Sequence, residues 1–279
     1  MKILLVNKYL YRKGGAETYF IKLGEYLKSL GNEVEYFGME HERNCVGNRV
    51  GAYTENIDFH KKSLKHITYP FKIIYSVNAK KQIRKVLSDF KPDVVHLNNF
   101  NYQLTPSIIY EIKKHNIPIV YTAHDVQLVC PNHKLKNDYT DGLCRKCDGG
   151  KYFECVKNNC VHSSKIRSIL GAVEAWYYKL RHTYKMIDLT VCPSEFMEKE
   201  ISRNDDINGR TVTMYNFIDE IKPLGAECEN YVLYFGRYSE EKGISNLVKA
   251  AKKLSNIPFV FAGKGELENE VNSADNIKN

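Results

Sequence analysis

Residues 2–37 read KILLVNKYLYRKGGAETYFIKLGEYLKSLGNEVEYF, and this stretch decides the fold class. Lys2–Val6 is a short apolar run stopped by Asn7, the pattern of a parallel strand buried on both faces. A polar loop follows. After Gly14-Gly15, apolar residues recur at Ala16, Phe20, Leu23, Leu27 and Leu30, which is helical spacing, and Gly31 is placed to cap the helix C-terminus. Glu33–Phe37 then alternates as a strand does. The stretch predicts a β-α-β unit with a glycine loop between its first strand and its helix.

The alternation continues outward. Val94–Leu97 predicts a strand, Thr105-Pro106 an N-cap with proline at the first helical position, Ile108, Ile109 and Ile112 a helix face, and residues 117–123 another strand. Residues 164–185, which hold the only Trp (Trp176), predict a long helix; Leu189–Cys192 predicts a strand, Pro193-Ser194 a helix start, and residues 212–215 a further strand. Residues 218–230, with Pro223, Gly225 and four acids, break the pattern as a linker does. It then restarts, with strand 231–235, polar loop 236–243, helix 244–254 and strand 258–261, which runs into Ala262-Gly263-Lys264-Gly265. The expected organisation is an α/β chain of two Rossmann-like, doubly wound domains: residues 1–217, with a cysteine-rich insertion at 126–162, and a partial second domain at 231–279. So short a second domain cannot cover its sheet on both faces, and the chain reads as C-terminally incomplete.

The composition of the 279 residues, 43% hydrophobic with 41 Lys plus Arg against 33 Asp plus Glu, excludes disordered, collagen-like and coiled-coil classes. No apolar run approaches the ~20 residues that span a bilayer. The first apolar run meets Asn7 too soon for a signal-peptide core, so a cytoplasmic protein is expected. The net charge of +8 falls in residues 1–228, since residues 229–279 hold seven basic and seven acidic side chains. Residues 60–88 contain Lys61, Lys62, Lys65, Lys72, Lys80, Lys81, Arg84 and Lys85 with no acid, beside Tyr69, Phe71 and Tyr75. Such a segment suits an anionic membrane surface or substrate, or is a solvated helix face. The chain lacks the basic face interleaved with aromatics that nucleic-acid binding uses.

Five of eight cysteines, Cys130, Cys144, Cys147, Cys155 and Cys160, fall within 31 residues. Cys130, Cys144, Cys147 and Cys160 give C-x13-C-x2-C-x12-C, with Cys155 to spare and His133 and His162 as substitutes. This suits a structural tetrahedral Zn²⁺; unliganded thiols and disulfides stay open as alternatives.

In a doubly wound sheet, ligands bind beyond the carboxyl ends of the strands, where His124-Asp125 and His96 with Asn98 fall. His124 there is a candidate donor to a sugar hydroxyl or to developing negative charge. Gly14 and Gly15 let a helix N-terminus approach an anion. Arg237 and Lys242, on a strand-to-helix loop, can clamp a diphosphate; the bland alternative is a surface loop whose Lys pairs with Glu240 or Glu241.

Taken together, Gly14-Gly15-Ala16-Glu17, Thr122-Ala123-His124-Asp125, Pro193-Ser194, Asn216-Phe217-Ile218-Asp219, Phe235-Gly236-Arg237 through Lys242-Gly243, and Ala262-Gly263-Lys264-Gly265 resemble the family-four retaining glycosyltransferases of the GT-B fold. The resemblance runs over nearly the whole chain. The insertion beginning Val129-Cys130-Pro131-Asn132 is similar to a bacterial subgroup that builds capsular, exopolysaccharide or O-antigen chains. The resemblance implies an acceptor domain followed by a domain for a nucleotide-sugar, a UDP- or GDP-sugar. It implies that Gly15 approaches the donor diphosphate, His124 contacts the transferred sugar, and Arg237 with Lys242 and the Gly263 loop hold the diphosphate. It also implies front-face attack with retention, a glycan acceptor and no catalytic divalent metal; the basic stretch from Lys61 to Lys85 suggests a lipid-linked acceptor and work at the inner face of the plasma membrane. The chain departs from the family where an E-x7-E element would follow the Gly263 region, since it ends at Asn279, and where Asn-Phe-Ile-Asp replaces an Asn-Gly-Val-Asp-like turn. A zinc-stabilised binding protein without turnover, or an inactive truncated transferase, is the alternative expectation.

Overall fold

Lys2–Val6 forms strand β1, in which Leu4, Leu5 and Val6 are all fully buried. Burial on both faces removes the usual alternation, and each such side chain contributes roughly 1.5–3 kcal/mol. The computed structural model describes residues 1–56, 69–137, 142–207, 209–218, 220, 225 and 229–279. They divide into two units, Met1–Ile218 and Asp219–Asn279.

In the first unit β1 is followed by α1 (Gly15–Ser29), β2 (Glu33–Phe37), α2 (Tyr69–Ile74), α3 (Val77–Phe90), β3 (Val94–Leu97), α4 (Ser107–Lys114) and β4 (Ile119–Thr122). Then come α5 (Phe153–Lys157), α6 (Lys165–Leu180), β5 (Leu189–Cys192), α7 (Glu195–Ile201) and β6 (Thr211–Thr213). The six strands form one sheet in the order β2-β1-β3-β4-β5-β6, every pair parallel. In register, Leu5 faces Tyr36 on one side and His96 on the other. One core joins Ile3, Leu5, Val34 and Tyr36 to Phe20 and Ile21 of α1; the other joins Leu4, Val6, Val95 and Leu97 to α3 and α4. The strand order reverses at β1, so the switch-point crevice lies past the ends of β1 and β3. Gly24 lets α1 approach β2, since a Cβ there would overlap the Tyr36 ring.

The second unit contains β7 (Val232–Phe235), α8 (Ile244–Lys253), β8 (Phe259–Ala262), α9 (Glu268–Val271) and β9 (Ile277–Lys278), with a parallel sheet ordered β7-β8-β9. Its core packs Ile244, Val248 and Ala251 of α8 on Phe259 and Phe261. On the other sheet face Leu233 is 54% and Phe235 80% exposed.

Several local expectations change. Pro106 itself, at φ −60°, occupies the cap position of α4. Thr105 is left-handed at φ 57°, and its hydroxyl accepts from Ser76 N at 3.1 Å. The long helix expected over 164–185 ends at Leu180, because His182 turns left-handed before a short 3-10 turn at Thr183–Met186. A third strand, β9, adds to the two expected in the second unit.

The basic stretch is not uniformly free. Arg84 makes two hydrogen bonds, 2.6 and 3.0 Å, to the buried Glu111, Lys80 donates to Tyr75 at 2.6 Å, and Lys72 lies 3.9 Å from Glu55. Lys61, Lys62, Lys65, Asp219, Cys228 and most of the linker, with the side chains of Tyr69 and Phe71, lie outside the described residues. Among the described residues no helix is long and apolar enough to cross a membrane.

Candidate active site

The crevice is stitched together by asparagines that follow two adjacent strands. Asn7, fully buried after β1, accepts from Asn99 N at 3.0 Å through Oδ1 and donates to the Tyr9 carbonyl at 2.7 Å. Asn98, fully buried after β3, donates its backbone N–H to the Val6 carbonyl at 2.8 Å. His124, two residues past β4, meets Asn98 Oδ1 with Nε2 at 2.9 Å. A carbonyl oxygen only accepts, so Nε2 carries the ring proton and Nδ1 keeps its lone pair. Burial holds the His124 imidazole down to about 4, with Asp125 opposing, and holds His96 down to about 4 as well. His124 is therefore neutral at neutral pH, an acceptor through Nδ1. His96 is committed elsewhere, 2.7 Å from Thr122 Oγ1.

Beside His124 lies a network that sequence reading missed. Lys8 Nζ donates to Asn101 Oδ1 at 2.9 Å, Asn101 Nδ2 lies 3.2 Å from His133 Nδ1, and His133 Nδ1 lies 3.3 Å from Asp125 Oδ2. The Asp125 carboxyl sits below its usual range: burial raises it, and hydrogen bonds from His133 and the Gln127 amide outweigh that effect. His133 thus faces Asp125 and stacks on Tyr102 at 5.4 Å, which corrects its place among candidate metal ligands. These residues come from three loops, and no spacing in the sequence joins them. Tyr19 of α1 packs edge-on to His124 at 5.3 Å and against Phe217 at 5.2 Å, so the Asn216-Phe217-Ile218 turn reaches the crevice through an aromatic chain.

Gly14 precedes α1 with no side-chain cap, and a Cβ on Gly15 would meet no atom within 4 Å. The helix N-terminus at Gly15 is thus open. In the second unit Arg237 and Lys242 share the loop between β7 and α8, and Arg237 is ion-paired with Glu241. A cation expected to be free is thus paired with its own loop, although the partner named in the bland alternative was Lys242. Gly263 lies against that loop, since a Cβ there would overlap the Gly236 carbonyl oxygen.

Cys130, Cys144, Cys147, Cys155 and Cys160 line one pocket of about 10 Å³, none of them in a disulfide, and His162 is not among its lining residues. Burial pushes the Cys147 thiol up to about 12 and raises Cys130 and Cys155. As the side chains stand, no group of three or more His, Cys, Asp or Glu among the described residues is arranged to hold a metal ion.

Two α/β units, each built on a parallel sheet, are the architecture of a GT-B-type glycosyltransferase. The family model described as Glycosyltransferase Family 4 matches residues 13–221, and Glycosyl transferases group 1 matches residues 217–279. The chain belongs to glycosyltransferase family 4. It is 26% identical over 280 aligned positions to an uncharacterised 42.6 kDa protein in the cps region of Klebsiella pneumoniae, covering 95% of this chain and 68% of that one. Among solved structures it resembles Anabaena HepE in complex with UDP and glucose, at TM-score 0.56 and 15% identity, covering 100% of this chain and 68% of that one. It also resembles sucrose-phosphate synthase from Thermosynechococcus elongatus, at TM-score 0.59 and 16% identity, covering 99% and 69%. These structural likenesses speak to the fold.

Proposed function

We propose that the protein transfers a sugar from a nucleotide-sugar, a UDP- or GDP-sugar, to a glycan or lipid-linked acceptor in polysaccharide assembly, with retention of configuration. The observation that carries this reading is the neutral His124, fixed by Asn98 at the switch point of a family-four chain. The cps-region relative supports a polysaccharide product, and HepE, crystallised with UDP and glucose, supports a nucleotide-sugar donor.

In this reading His124 Nδ1 accepts a hydrogen bond from a hydroxyl of the transferred sugar. Departure of the nucleoside diphosphate loads charge onto its terminal phosphate. Cations that meet that charge most strongly in the transition state accelerate the step. Arg237 and Lys242 fill this role once Arg237 exchanges Glu241 for phosphate, and Gly15 leaves room for an oxygen to reach the α1 N-terminus. The enzyme works in the cytoplasm at the inner face of the membrane, where a lipid-linked acceptor resides. The insertion takes a structural zinc; five cysteines lining one pocket, none of them in a disulfide, support this.

Calorimetric titration with UDP, GDP and their sugar conjugates, followed by product analysis with the preferred donor, tests the reading. Binding of one nucleotide and formation of a retained glycoside are expected. An inverted product removes the retention claim; absence of both binding and transfer removes the proposal.

A further inference from the structure

Helix α6 buries Ser168, Ala172 and Tyr178 against the first unit, and the Tyr178 hydroxyl donates to the Ile74 carbonyl to fasten the helix to α2. Its opposite face carries Ile166, Ile169, Val173 and Leu180, which are 73%, 42%, 40% and 79% exposed. At 100° per residue these four fall within roughly 60° of arc, a continuous apolar stripe along a helix roughly 24 Å long. Scattered exposed leucines need no explanation, but an aligned stripe marks an interaction surface.

The charges around the stripe say what covers it. Residues 164–185 hold five cations, Lys165, Arg167, Lys179, Arg181 and Lys185, and one acid, Glu174. Glu174 is half-buried, and burial lifts its carboxyl to about 7, so it opposes the cations little. Lys165, Arg167 and Arg181 are exposed at the two ends, and Arg181 lies over the Tyr110 and Tyr177 rings. A second copy docking by a twofold axis would set Lys165 and Arg167 of one chain beside Arg181 of the other, like charge on like. An apolar stripe rimmed by cations instead matches an anionic lipid surface, with acyl chains under the stripe and headgroup phosphates on the rim.

We infer that the exposed face of α6 docks the protein flat on an anionic lipid bilayer. The stripe belongs to α6 itself and not to the basic segment at residues 60–88, whose Ile74 and Tyr75 meet α6 at Tyr178 and Tyr177. It extends the reading of a membrane-borne acceptor, and docking is measured without donor or acceptor, so its failure is separate from failure of transfer.

The experiment is flotation of the full chain with vesicles of phosphatidylcholine, with and without 30% phosphatidylglycerol, in 100 mM salt. The chain is expected to float with the anionic vesicles and not with neutral ones. I166S/V173S/L180S, and separately K165E/R167E, should each reduce the floated fraction at least tenfold, with circular dichroism and Tm of the wild type as the check on folding. Three results overturn the inference: equal flotation with both vesicle types, undiminished flotation of both folded variants, or loss on K61Q/K62Q/K65Q but not on the α6 variants. A wild-type dimer in sedimentation that the serine variant abolishes, without vesicle binding, assigns the stripe to self-association and overturns it too.

Discussion

His124 Nε2 lies 2.9 Å from Oδ1 of Asn98, so a buried amide holds the histidine two residues past β4. Asn98 Nδ2 is itself buried without a partner among the described residues, so the amide has no second contact that sets its orientation independently. Replacing His124 by Ala should lower kcat/KM by about 2–4 kcal/mol of transition-state stabilisation, roughly 30- to 1,000-fold. N98A should reduce kcat more than it raises KM, because the ring stays present but loses its orientation. Steady-state kinetics with the preferred donor checks both. Unchanged kcat/KM in H124A would remove His124 from the reaction.

Acid should destabilise the fold through two imidazoles. His96 and His124 are held to about 4 in the native state against 6.5 unfolded, so the unfolded chain binds protons that the native one refuses. Stability therefore rises with pH from about 4 to 6.5 and is fully present above that, with a slope of up to about 1.4 kcal/mol per pH unit for each histidine. Tm should be flat from pH 7 to 8 and fall from pH 6.5 to 4.5. H96Q should flatten the fall; a profile identical to wild type would show that His96 does not contribute.

The β-α-β reading of residues 2–37 carried over to the structure because apolar period and glycine placement report local geometry. Where it slipped, at Thr105 and past Leu180, left-handed residues intervened, and a threonine and a histidine do not announce φ above zero as glycine does. His124 was legible as a residue at a strand end. Its tautomer was not, since Asn98 is 26 residues away and the two meet only through the sheet. The Lys8, Asn101, Asp125 and His133 network was invisible for the same reason.

Arg237 and Glu241 set a competition. An exposed pair of this kind contributes about 0–1 kcal/mol, so a diphosphate held as proposed would displace the carboxylate at little cost. R237A should lower kcat/KM by about 2–4 kcal/mol. E241Q should leave kcat in place and tighten diphosphate binding by up to about fivefold. Weaker binding in E241Q would mean that Glu241 positions Arg237 rather than competing for it.

The cysteine pocket gives a direct count. Purified chain should carry one zinc, lost in C144S/C147S together with several degrees of Tm, because an ordered insertion depends on its ligands. Metal-free protein with five titratable thiols in the insertion would end the zinc assignment.

Two glycines separate a ligand-facing role from a packing role. A methyl group on Gly15 meets nothing within 4 Å, and alanine is the better helix former at the start of α1. G15A should melt at or slightly above the wild-type temperature and still lose transfer, since the methyl would occupy the space proposed for a phosphate oxygen. At Gly263 the same methyl overlaps the Gly236 carbonyl, so G263A must push apart the loops that follow β7 and β8. That variant should lose stability in the second unit first, read as an added low-temperature transition in calorimetry. If G15A transfers sugar as fast as wild type while remaining folded, the open space at the α1 N-terminus is not where the donor phosphate goes. The diphosphate would then be held by Arg237 and Lys242 without help from that helix.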